Sequence, residues 1–143
     1  FLSWAKEGDS KEGAGPLTVR APAFGPIVTT AEGRERAGRD LSPLFWISDK
    51  TPPTFIVQGD ADPLVPDSQA RRYLARAKEV GAKAEVLIRL GGAHGGWVEM
   101  ADDNVRMAEW FSLHLLGQQP SKPFNFDISS LPSTPAPKKA AKK

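Results

Sequence analysis

The chain has 143 residues, enough for one domain of ordinary size. Apolar residues make up 40% and charged residues 25%, which excludes a disordered or fibrous composition for the chain as a whole. Cysteine is absent, which excludes disulfides and thiolate metal sites and fits a cytosolic protein as well as a disulfide-free exported one. No apolar run approaches the roughly 18 residues of a membrane span. The net charge of +2 averages two unlike parts. From Gln118 onward five lysines stand against one acid, a balance of +4, which leaves 14 basic and 16 acidic residues, or −2, on the rest. The basic character belongs to the tail, so it makes no case for a nucleic-acid-binding body.

In chain order, "FLSWAKEGD" (1–9) reads as the end of a helix with Gly8 as its stop, and "SKEGAGP" as a loop. "LTVRAPAFGP" (17–26) reads as a strand in which Pro22 implies an edge or a bulge. Residues 28–50 are polar and helix-poor toward their end, with Leu44, Phe45, Trp46 and Ile47 expected to form an apolar plug. "TFIVQ" (54–58) is a strand that leads into the loop "GDADPLVP" (59–66). A helix is predicted over roughly 67–80, its buried face carrying Ala70, Tyr73, Leu74, Ala77 and Val80. Asp67 or Ser68 suits its start and Gly81 its end. "KAEVLIRL" (83–90) is a strand with Ala84, Val86, Ile88 and Leu90 on one face, and "GGAHGG" (91–96) a glycine-rich loop. A last helix over about 98–116 carries Ala101, Val105, Ala108, Phe111 and Leu115 on one stripe, and Gly117 ends it. Alternation of strand, loop and helix at this spacing predicts an α/β fold with a parallel sheet. The body spans 1–117. Residues 118–143, rich in Pro, Ser and Lys, are expected to be mostly disordered, with Phe124, Phe126 and Ile128 able to pin the first part to the body.

Ligands and catalytic groups of open α/β sheets lie beyond the carboxyl ends of strands. Two loops hold that position. One offers Asp60 and Asp62, the other His94 among four glycines. Neighbouring parallel strands lie about 4.8 Å apart, so a carboxylate and an imidazole on such loops can meet. A carboxylate on one ring nitrogen fixes the tautomer and stabilises the imidazolium formed when the other takes a proton. Each residue also has a plainer reading. Asp60 and Asp62 both suit loop capping through backbone amides, and His94 alone suits a surface loop. His114 reads as an ordinary helical residue, and Trp97 as a wall of the active site or, the favoured reading, a packing residue. Asp102 and Asp103 suit the dipole of the last helix without any other role.

The segment "SPLFWISDKTPPTFIVQGDADPLVPDSQARRYLARAKEVGAKAEVLIRLGGAHGGW" resembles the C-terminal part of an α/β-hydrolase. It is most similar to the esterase/lipase group that includes bifunctional deacetylase and feruloyl esterase-like proteins, with prolyl oligopeptidase-type serine peptidases as near neighbours. The resemblance covers about residues 42–117. It implies that Asp62 is the acid and His94 the general base of a Ser-His-Asp triad, and that Asp60 is a structural loop residue. It also implies parallel strands six to eight with flanking helices and a small-molecule ester substrate, and it calls for no metal or cofactor; composition gives no case for a membrane or nucleic-acid partner.

The nucleophile has no place in these residues. No G-x-S-x-G elbow is present. Gly8-Asp9-Ser10-Lys11-Glu12 comes nearest, but Glu12 replaces the second glycine, no buried strand precedes it, and Gly and Pro follow where a helix belongs. "HGG" as an oxyanion loop would require an elbow after Gly96, and none follows. The start of the chain resembles the family's segment after the elbow, so the expectation is a C-terminal portion of a serine hydrolase whose serine lies ahead of Phe1. The alternative from another class is a non-catalytic or degenerate hydrolase module. On the first reading the sixth strand presents an open edge. The isolated chain is therefore expected to self-associate, and a monodisperse monomer at high concentration in light scattering would contradict this.

Overall fold

A computed structural model describes residues 30–132. The predicted helix end at 1–9, the strand at 17–26 and residues 133–143 lie outside the described residues. The chain divides into two compact units, one of residues 1–46 with 135–143 and one of residues 47–134.

Within the first unit, α1 (Ala31–Leu41) starts at Thr30, whose hydroxyl accepts from the Gly33 amide at 3.0 Å. The polar pattern hid this helix, which has Glu32 in its first turn and Arg39 in its last, as the helix dipole favours. A single 3-10 turn, Pro43–Phe45, follows. Of the expected apolar plug, Ile47 is buried and Leu44 half-buried, whereas Phe45 and Trp46 are exposed. Trp46 is 68% exposed and uses its indole N–H on the Asp40 carbonyl, and the Arg39 guanidinium lies over the Phe45 ring.

The second unit carries the β-α-β-α order expected from the sequence. β1 (Thr54–Gly59) pairs in parallel with β2 (Ala84–Arg89), Thr54 opposite Ala84 and Gly59 opposite Arg89. The crossover is α2 (Ser68–Val80), and α3 (Met100–Leu116) follows β2. Alternation along the strands separates two faces. Ile56, Val86 and Ile88 meet Ala70 and Leu74 of α2. Phe55 meets Trp110 of α3, ring centroids 5.7 Å apart. Helices therefore cover both faces of a small parallel sheet, as an α/β arrangement requires.

Both long helices end as the sequence predicts, on Gly81 (φ +76°) and Gly117 (φ +69°). The left-handed residue lets the next amide reach back into the last turn, as Ala82 does to the Ala77 carbonyl at 2.9 Å. The start of α2 differs from expectation. Asp67 occupies the cap position but makes no side-chain cap bond. Its buried carboxylate takes the Arg71 Nε at 2.7 Å instead.

Leu90 does not continue the buried face of β2 and is 64% exposed. The stripe predicted for α3 is also exposed, with Val105 at 60%, Phe111 at 62% and Leu115 at 75%. The buried residues of α3 are Asp103 and Trp110.

After α3, residues 118–132 have neither helix nor strand, yet they pack. Phe124 meets Trp110 and Phe55 on the α3 face, and Phe126 stacks on Phe55 at 5.6 Å. Ile128 then joins the α2 face beside Val86 and Leu74. Arg71 fixes the crossing by donating to the carbonyls of Ile128 (2.9 Å) and Pro132 (3.1 Å). Ile128 is 9% exposed, so its side chain counts as core. Ile128→Ala should lower stability by about 2 kcal/mol. Urea unfolding followed by tryptophan fluorescence measures this, and an unchanged midpoint would show that the segment adds nothing to the core.

Candidate active site

The site forms where β1 and β2 run out. Gly59 ends β1 in tight contact with the loop after β2. A Cβ at this position would lie 2.5 Å from the Ala93 carbonyl oxygen and closer still to that of Gly92, so only glycine permits the approach. The Ala61 amide donates to the Gly92 carbonyl (2.9 Å) and the Asp60 amide to that of Arg89 (3.1 Å). The Asp60 carboxylate accepts from the Gly91 amide at 2.6 Å. Asp60 thus ties one loop to the other.

Asp62 does two things at once. Its Oδ1 accepts from the amides of Leu64 (2.7 Å) and Val65 (2.9 Å), closing the turn after Pro63. Its Oδ2 lies 2.9 Å from His94 Nδ1 and accepts from Gln58 Nε2 at 3.0 Å. The Asp62 side chain is almost wholly buried, whereas His94 is 57% exposed. Burial, the largest single influence, opposes ionisation of Asp62. The Val65 amide, His94, the Leu64 amide and Gln58 together outweigh it and hold the carboxyl below its ordinary value. The structure thus brings Asp62 and His94 together, and no described residue hydrogen-bonds His94 Nε2.

Three further residues shape this end of the sheet, and sequence reasoning missed them. Gln58 reaches from the strand to Asp62 and also donates to the Val65 carbonyl at 3.0 Å. Trp97, read as a packing residue, donates its indole N–H to Asp103 at 2.7 Å. Asp103, assigned only a dipole role, is fully buried and also takes the Arg89 guanidinium through both oxygens. Burial weighs most on Asp103 and favours its neutral form. The hydrogen bonds from Arg89 and Trp97, with the charge of Arg89, reverse this and leave the carboxyl below its ordinary value. The only available cue was two adjacent acids after an H-x-x-W spacing, which is weak without geometry.

His114 sits far from this site. Its ring meets Trp110 edge-on at 4.3 Å, and burial, then the charge of Lys83, lower its pKa. With Lys83, Glu85 and Phe124 it lines a cavity of about 350 Å³ at the opposite end of β2. Among the described residues no group of three or more His, Cys, Asp or Glu is placed to hold a metal ion. No described helix is long and apolar enough to cross a membrane.

A carboxylate whose folded pKa is depressed adds stability above its unfolded value and loses it as pH falls through the folded one. Asp62 is such a group, with an ordinary value of 3.8. Wild type should therefore exceed Asp62→Asn in stability near neutral pH, and the gap should close as pH falls below 3.8. Urea midpoints for both proteins across that range test this. A gap that does not change with pH would remove the electrostatic account.

The BD-FAE family model, which describes an esterase-like α/β-hydrolase family, matches residues 18–77. That span takes in β1, the Asp62 loop and most of α2, and stops before His94. Among curated proteins, Esterase LipQ of Mycobacterium tuberculosis is 34% identical over 53 residues. The match covers 37% of this chain and only 13% of the relative. No solved structure matches. Together these matches relate the chain to the esterase/lipase-like α/β-hydrolases.

Proposed function

We propose that this chain supplies the acid and the base of a serine hydrolase that cleaves carboxylic esters. The observation carrying the proposal is the 2.9 Å contact of His94 Nδ1 with Asp62 Oδ2 beyond the ends of two parallel strands. With Nδ1–H donated to the carboxylate, Nε2 is the nitrogen with a free lone pair. The serine belongs to a part of the protein outside these 143 residues, because the sequence holds no G-x-S-x-G elbow. The relative's much greater length suits that division.

In this reaction the serine Oγ attacks the ester carbonyl carbon while His94 Nε2 takes the hydroxyl proton. Asp62 stabilises the resulting imidazolium. The tetrahedral intermediate collapses, the C–O bond to the alcohol breaks, and His94 returns the proton to the departing oxygen. Water repeats the sequence on the acyl-serine, releasing the carboxylic acid and restoring the serine. Asp62 suits its role because its Oδ1 is held by two loop amides and does not depend on the histidine for position. Donors for the oxyanion come from the same outside part as the serine.

The coding sequence ahead of Phe1 should encode a G-x-S-x-G motif. The full-length product should hydrolyse p-nitrophenyl acetate. His94→Ala should then lower kcat by on the order of 10⁶ and Asp62→Asn by about 10⁴. The 143-residue chain alone should be inactive. Turnover by that chain, lost in His94→Ala, would overturn the division of the triad, and absence of the motif upstream would favour a non-catalytic module.

A further inference from the structure

The part of the loop that carries His94 has little to hold it. Residues 93–96 make no backbone hydrogen bond to the described residues. Gly95 and Gly96 both have positive φ, at +143° and +75°, and as glycines they lack the Cβ that restricts the backbone of other residues. On the N-terminal side the loop is held at Gly91 and Gly92, through Asp60 and Ala61. On the C-terminal side the first side-chain anchor is the Trp97 indole on Asp103. The same carboxylate also grips Arg89, the last residue of β2.

We infer that Asp103 is a positioning residue for His94, a buried carboxylate that draws the two flanks of the loop together and so sets the imidazole against Asp62. This rests on the reading of His94 and Asp62 as base and acid. Three donors from two residues converge on Asp103: Arg89 Nε at 2.8 Å, Arg89 Nη2, and Trp97 Nε1 at 2.7 Å. Arg89 and Trp97 bracket the seven residues 90–96. A carboxylate suits the task because it accepts at both oxygens and donates nothing, so it can bind a guanidinium and an indole together. An amide cannot, since one of its two polar atoms is a donor facing donors. The position at the first turn of α3 adds rigidity, because the Asp103 amide donates to the Glu99 carbonyl at 3.0 Å. Among the described residues, Asp62 alone hydrogen-bonds the His94 ring. Anchoring Trp97 shortens the free span between the two fixed flanks and so narrows the positions open to the imidazole.

The test is the tautomer of neutral His94 in the 143-residue chain, read from imidazole ¹⁵N shifts in long-range ¹H–¹⁵N correlation spectra. Wild type should be in the Nδ1–H form, and Asp62→Ala should lose it. Asp103→Asn and Trp97→Phe should also lose Nδ1–H as the dominant form, with circular dichroism unchanged. His114, at the other end of β2, should keep its wild-type signals in every variant and serves as the internal control. Trp97→Phe keeps an aromatic ring and the Arg89–Asp103 pair while removing the indole N–H, so it decides the matter if Asp103→Asn fails to fold. Folded variants that retain the Nδ1–H form would overturn the positioning role while leaving the Asp62–His94 pair intact. A wild type without the Nδ1–H form, unaltered by Asp62→Ala, would overturn both.

Discussion

Gly59 and Gly92 meet backbone to backbone at the point where the two strands run out. A side chain on Gly59 would occupy the space of two carbonyl groups, so this contact sets how near the loops can come. Parallel pairing brings the strand ends side by side, and the glycine contact removes the remaining gap. Ala61, Asp60 and Gly91 then stitch the loops with three hydrogen bonds, counting the Asp60 amide to Arg89 and leaving the side chains of Asp62 and His94 to close the arrangement. Each of these bonds needs a spacing that a methyl group would prevent.

At Asp62 structure and chemistry cannot be pulled apart. The Asx-type turn over Leu64 and Val65 is what a loop aspartate before proline does in any protein. The same two amides lower the carboxyl pKa, and that charge is what a neighbouring imidazole responds to. Gln58 adds a third donor from inside β1, which links the carboxylate to the rigid sheet and not only to its own loop. A buried carboxylate provided with this many donors remains charged despite its burial.

Much of this was legible from local pattern. The β-rich run leading into Gly59, the helix between Ser68 and Gly81, and the glycine loop after Arg89 all follow from spacing and end signals, as does the chance for a loop carboxylate to meet His94, whereas the choice of Asp62 over Asp60 came with the family resemblance. Pattern failed where a partner mattered more than periodicity. The apolar stripe of α3 has the right spacing for a buried face, yet Trp110 and Asp103 are what α3 buries among the described residues. Its burial comes from one large ring on Phe55 and a charged cluster, neither of which raises a 3.6-residue hydrophobic signal. Asp103, Trp97 and Gln58 were hidden for a related reason. Their roles depend on polar partners that only loop geometry brings near. The helix α1 was missed because its sequence has few apolar residues to mark a face, although Thr30 gave a valid start signal.

The brace at Arg71 fixes where the last described residues lie. Arg71 lies in the first turn and a half of α2, next to the loop that carries Asp62, and it holds the carbonyls of both Ile128 and Pro132. The chain leaves α3 at the far end of the sheet and is led back to the loop end before Pro132. A fluorophore placed at Pro132 would therefore sit beside the N-terminal end of α2, at the same end of the sheet as the candidate site.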